Sequence, residues 1–181
     1  MTIARPWPDH LLSLDEWEAL DEELVKTAEL VEGVLVVSPS PSPVHQRLLW
    51  RLCAALEPQV APGHVLIPDL DVLIDAGPPP TVRKPDVAVV RAEAYERGER
   101  LVPADLLAAF EILSPGSRRT DRVAKLAEYA EGAIPHYGIV DPDGPTLTEF
   151  ALVDGAYRPV AEHQGLATLA FGATLDLTTL P

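Results

Sequence analysis

Two carboxylates stand where strands should be dry. Glu111 interrupts the apolar run "LLAAFEIL", and Asp86 follows Pro85 at the head of "PDVAVV". An unpaired buried carboxylate is costly, so each needs a cation, a hydrogen-bond network or open solvent. On neighbouring strands the two would form a hard-oxygen site suited to Mg2+, which takes one or two carboxylates, a carbonyl and retained waters. Water on that metal could attack a phosphodiester. Lys125 comes fourteen residues after Glu111 and four after Asp121, with Glu128 one turn further on. A helix leaving directly from the end of the Glu111 strand can aim Lys125 back toward the carboxylates. There its ammonium would orient water or neutralise developing phosphate charge. Each residue also has a plainer reading. Asp86 would be a strand-entry turn, Glu111 would pair with an arginine, and Asp121 with Lys125 would be a surface pair worth a few tenths of a kcal/mol. It is the ordered set that favours a site.

The elements that must position these residues are readable from period and punctuation. "SLDEWEALDEE" opens with Ser13 and has Glu16 three residues later, a capping box that starts a short acidic helix. "AELVEGVLVVS" is two apolar runs about a Glu-Gly pair, hence a hairpin. Ser42 with Pro43 starts a helix whose apolar positions are Val44, Leu48, Leu49, Leu52 and Leu56 and which ends near Pro58. "HVLIP", "DVLID", "DVAVV" and "LLAAFEIL" read as strands, and "SPSPSP" and "GPPP" as connections. After "SPGS", Val123, Leu126, Ala127 and Ala130 form one helical face, with Asp121, Lys125 and Glu128 opposite and Gly132 as C-cap. "HYGIVDPDGPTLTEFALVDGAYRPV" gives three further strands with Asp-Gly-type turns. The sum is one α/β or α+β domain over residues 1–181, with helices before and after a mixed central β-sheet.

Composition narrows the class. With 181 residues, 47% hydrophobic and 23% charged, the chain is long enough for one sizeable core. No apolar run could span a bilayer and the start lacks an export pattern, so a cytoplasmic protein without membrane contact is expected. The single Cys53 lies among apolar neighbours and should pack as a small hydrophobe. His10, His64, His136 and His163 show no zinc-ligand spacing, and neither a G-x-S-x-G elbow nor a Walker-type loop occurs. The net charge of −14 argues against a polyanion partner. It is unevenly spread, however: residues 1–32 hold nine acids and two bases, whereas residues 83–125 hold nine bases and seven acids. If DNA is bound, Arg118, Arg119 and Arg122 should contact it, with two chains of a homodimer sharing a longer groove.

The order "AELVEGVLVVSPSPSPVHQRLLWRL", "KPDVAVV", "FEILSPGSRRTDRVAKLAEYAEGAIPHYGIVDP" resembles the large bacterial family of restriction-endonuclease-like proteins within the PD-(D/E)XK nuclease superfamily. The resemblance covers about residues 24–160. It implies a restriction-endonuclease-like fold, with Asp86 and Glu111 as ligands of Mg2+ (or Mn2+), the Ile112 carbonyl as a third ligand and Lys125 as a displaced catalytic lysine. The superfamily pattern places that lysine two residues after the glutamate, where this chain has Leu113. Glu29 matches the family's early glutamate and His45 its helix histidine, so both are expected to flank the site, with Asp121 in support. Where the family carries an aromatic residue after the tyrosine of "HYGIVDP", this chain has Gly138, a departure expected to affect packing more than chemistry. The activity implied is Mg2+-dependent endonucleolytic hydrolysis of DNA phosphodiesters. A non-catalytic protein- or nucleic-acid-binding domain on the same fold is the rival, and hydrolysis of a smaller phosphoester is a third reading.

Overall fold

The computed structural model describes residues 8–38, 40–114 and 116–180. Pro39 of "SPSPSP" and Pro115 of "SPGS" lie outside them. The chain opens with α1 (Leu14–Glu18), α2 (Glu22–Val25), the strands β1 (Ala28–Val31) and β2 (Val34–Val37), and the helix α3 (Pro43–Leu56). Then come β3 (His64–Pro68), β4 (Val72–Asp75), β5 (Thr81–Arg83), β6 (Val87–Arg91), α4 (Ala92–Arg97) and β7 (Leu106–Ile112). A π-helical turn at Thr120–Ala124 runs into α5 (Lys125–Glu131). β8 (His136–Asp141), β9 (Thr146–Val153), β10 (Ala156–Gln164), β11 (Leu166–Thr168) and β12 (Thr174–Asp176) complete the order.

A six-stranded sheet in the order β10-β9-β8-β7-β6-β3 forms the centre, and it is mixed because β7 and β8 run parallel while the other pairs are antiparallel. Alternation along each strand sends side chains to two different cores. Val87, Val89, Phe110 and Ile112 face the Leu48, Leu52 and Leu56 stripe of α3. Ala88, Val90, Ala109 and Leu113 face the other side, where Tyr129 and Ala130 of α5 cover them. The expectation of helices around a mixed central sheet therefore holds.

The local predictions that rest on turn and cap chemistry hold closely. Ser13 and Glu16 form both bonds of the capping box. Glu32 and Gly33 link β1 to β2 with φ of 48° and 76°, the two positive angles that a tight hairpin turn needs. Ser42 caps α3 through the His45 N–H. At Gly138, a Cβ would run into the Phe110 ring, its register partner on β7, so Phe110 occupies the space that an aromatic at position 138 would otherwise take. That departure from the family pattern is a matter of packing.

Two features differ from expectation. A second, four-stranded sheet, β2-β1-β5-β4, carries its own core around Trp17 and Leu30. Its strand β5 follows directly on "GPPP" and has only three residues, too few to show a period. The helix after "SPGS" is also rotated. Val123 is 61% exposed and Ala127 is exposed, whereas Asp121, Lys125 and Tyr129 are buried. Leu126 and Ala130 of the expected apolar face do pack into the core, but Val123 and Ala127 do not, because of the π turn and because the polar residues find charged partners beneath them.

Candidate metal centre at the strand ends

The register brings the two predicted carboxylates together. Val87 pairs with Phe110 and Ala88 with Ala109, so continuing the antiparallel ladder by one residue sets Asp86 opposite Glu111. Glu111 faces α5, while Asp86, just ahead of β6, reaches the end of β7 and His45 of α3. One oxygen of each carboxylate is fixed. Asp86 Oδ2 accepts from the Ile112 N–H at 2.6 Å and lies 3.3 Å from His45 Nε2. Glu111 Oε1 accepts from Lys125 Nζ and Tyr129 Oη, each at 2.9 Å. The other oxygens, Asp86 Oδ1 and Glu111 Oε2, have no hydrogen-bond partner among the described residues. In an extended strand the N–H and C=O of one residue leave on the same side, so the Ile112 carbonyl also faces the β6 edge where Asp86 stands.

Lys125 reaches this place because the helix is wound to deliver it. In the π turn the Lys125 N–H bonds back to the Thr120 carbonyl, five residues away, instead of to Asp121. The Tyr137 hydroxyl donates to the Asp121 carbonyl at 2.9 Å and pins the turn to β8. Asp121, Lys125 and Tyr129 then line up under the sheet at intervals of four. The ammonium of Lys125 lies 2.9 Å from Glu111 Oε1, 3.1 Å from Glu29 Oε1 and 3.8 Å from Asp121 Oδ1.

Glu29 comes from β1, and it ties the second sheet to this centre. Its Oε2 receives Arg83 Nη1 at 3.0 Å and its Oε1 receives the Lys84 N–H at 2.9 Å. Arg83 also grips Glu128 of α5 with two bonds of 2.6 Å. Arg83, Tyr129 and Tyr137 were not singled out in the sequence. Tyr129 had a visible signal, four residues after Lys125 on one stripe; Arg83 had only a base inside a very short strand.

The electrostatics follow from the census of these groups. Asp86, Glu111, Asp121, Glu29 and Glu128 are five acidic groups against Lys125 and Arg83, with Glu111, Asp121 and Glu29 buried. Burial pushes the Glu111 carboxyl well above its usual range, with Lys125 opposing and Asp86 adding to the rise. Asp121 is raised as well, chiefly by burial. Burial works against the charge on Lys125, but Glu111, Glu29 and Asp121 outweigh it and hold the ammonium protonated. Glu29 is driven up by burial yet ends below its ordinary value because of Lys125 and Arg83. The bond to Asp86 raises His45.

An excess of acidic groups over bases, with free hard oxygens, fits a divalent cation. Among the described residues no three His, Cys, Asp or Glu side chains already converge in ligand geometry. A Mg2+ site of two carboxylates, a carbonyl and water does not require three.

The predicted DNA-contacting arginines sit on the exposed side. Arg118 pairs with Asp141 and Asp143, and Arg122 lies 3.6 Å from Asp141. Arg119 is exposed and has no partner among the described residues. Cys53 is half-buried at α3, its thiol pushed up to about 11 by burial.

Such a mixed sheet with carboxylates and a lysine gathered at its strand ends has a restriction-endonuclease-like fold. The crystal structure of "a putative nuclease belonging to DUF820 from Anabaena variabilis ATCC 29413" superposes with a TM-score of 0.67 at 20% identity, over 93% of this chain and 97% of that one. The chain belongs to the Uma2 family, "Putative restriction endonuclease", whose model matches residues 8–180. No curated protein matches it. No helix among the described residues is long and apolar enough to cross a membrane.

Proposed function

We propose that the protein is a Mg2+-dependent endonuclease that hydrolyses DNA phosphodiester bonds with metal-activated water, Mn2+ serving as a substitute. The observation that carries this reading is the pair of unbonded oxygens, Asp86 Oδ1 and Glu111 Oε2, on residues at the adjoining ends of β6 and β7, while the remaining oxygen of each is held fast. Membership of a family described as restriction endonucleases, and a fold neighbour described as a nuclease, support the same class. Asp86, Glu111 and the Ile112 carbonyl would hold the cation, which supplies an acidified water and a positive charge at the phosphate.

The chain's own groups do the rest. Lys125 and Tyr129 fix Glu111 through Oε1 and leave Oε2 unbonded, and the ammonium offsets charge that develops on the phosphate. Glu29 keeps Lys125 charged and in place, and His45 orients Asp86. Arg119 meets the phosphate backbone directly. Arg118 and Arg122 exchange Asp141 and Asp143 for phosphate oxygens, and two copies side by side would lengthen this basic strip.

A second reading, a non-catalytic binding domain, is favoured by the net charge of −14 and by the acids that occupy Arg118 and Arg122. Metal-induced thermal stabilisation, followed by cleavage assays on single-stranded, duplex and branched DNA, separates the two. The nuclease reading expects Mg2+ and Mn2+ to raise the melting temperature, Asp86→Ala to abolish that rise, and at least one DNA to be cut. Equal shifts in wild type and Asp86→Ala would remove the metal centre, and a metal shift with all DNAs intact would favour the binding domain.

A further inference from the structure

Asp121 has more carboxylate than its neighbours use. It is 2% exposed, the Ser117 side chain acts on its carboxylate, and its Oδ2 is nonetheless buried without a hydrogen-bond partner. A buried acceptor left unpaired is costly, and a charged one more so. Pairing with Lys125 does not account for it, because Lys125 Nζ lies closer to Glu111 and to Glu29 than to Asp121 Oδ1. Helix geometry does not account for it either. An uninterrupted α-helix would bond the Lys125 N–H to the Asp121 carbonyl, whereas the π turn sends that N–H to Thr120 and the Tyr137 hydroxyl takes a place on Asp121. Single π turns inside helices occur frequently at functional sites. Asp121 shares Lys125 with Glu111 and Glu29, which puts its carboxylate in the same cluster of acids as the metal centre.

Mg2+ gives up its water reluctantly and keeps several when protein ligands are few. Those waters carry hydrogens that need acceptors, and the acceptors around a metal's ligands contribute strongly to its affinity. We propose that Asp121 is the third carboxylate of the centre, its free Oδ2 anchoring a water in the hydration shell of a divalent cation held by Asp86 and Glu111. The inference rests on the reading of that centre as a metal site.

The test is calorimetric titration of Mg2+ and Mn2+ into the metal-free full chain, with thermal unfolding recorded beside it. Asp121→Asn keeps the shape and neutralises the spare oxygen; Asp121→Ser removes it in a smaller side chain. Both are expected to weaken metal binding about ten- to hundredfold, as loss of such outer partners does elsewhere, while metal-free Asp121→Asn melts no lower than wild type. Wild-type affinity in both variants, with Asp86→Ala unable to bind, would overturn this inference alone. A fall in metal-free melting temperature in both variants would make Asp121 a structural partner of Lys125 and overturn it too. A wild-type chain that binds neither metal would overturn the metal reading and this inference with it.

Discussion

Two acid-lysine pairs in this chain have the same spacing and opposite settings. Glu22 and Lys26 stand four residues apart at 3.1 Å, with the lysine side chain 55% exposed and Glu23 sharing it. Asp121 and Lys125 also stand four apart, but at 3.8 Å, and Lys125 is 6% exposed. In water the first pair gains little, since solvent already satisfies both charges. Out of water the second must find its partners within the protein, and it recruits Glu29 and Glu111 from two different sheets. The closer pair is thus the weaker one. Distance along a helix does not tell which is which, because burial sets the dielectric and the neighbours set the sign.

Removing each lysine in turn separates the two pairs. Lys125→Met leaves three carboxylates without their shared cation, and disrupting a buried pair costs about 3–5 kcal/mol. Metal-free melting of this variant should therefore drop steeply, and Mg2+ should restore part of the loss. Arg83→Met, which releases Glu29 and Glu128 together, should come next on the same melting curve. A pH-dependent effect is expected from Glu111→Gln. The folded carboxyl of Glu111 is raised above its unfolded value, so its contribution to stability is complete below about 4.5 and is lost as pH climbs through the folded value. Denaturation of the metal-free protein from pH 4 to 8 should show Glu111→Gln gaining on wild type as pH rises. A gap that stays constant would mean that Glu111 is not perturbed. Lys26→Met should leave the melting temperature unchanged within error; a loss comparable to that of Lys125→Met would erase the distinction between the two pairs.

What could be read beforehand follows the same divide. The capping box at Ser13, the Ser42-Pro43 helix start and the Glu-Gly turn were visible because a few adjacent residues decide each of them. Asp86 and Glu111 stood out because a carboxylate inside an apolar run is anomalous by itself. The orientation of the helix after "SPGS" is legible only in part: Lys125 does turn toward Glu111, and Leu126 and Ala130 pack inward, but Val123 and Ala127 do not. The groups that draw Asp121 and Lys125 inward, Glu29 and Glu111, lie far off in sequence and act only after the sheets have assembled. The β5 strand and the β11–β12 pair, with three residues each, carry no period to detect.

The proposed nuclease needs Lys125 and Glu111 to act together at one metal-dependent site. The decisive measurement is single-turnover cleavage of DNA in saturating Mg2+ by wild type, Glu111→Ala and Lys125→Met, at a temperature where each variant is folded. Cleavage by wild type alone, lost on chelation and lost in both variants, is the predicted result. Near wild-type cleavage by Lys125→Met with Glu111→Ala inactive, or cleavage by wild type that survives chelation, would contradict it.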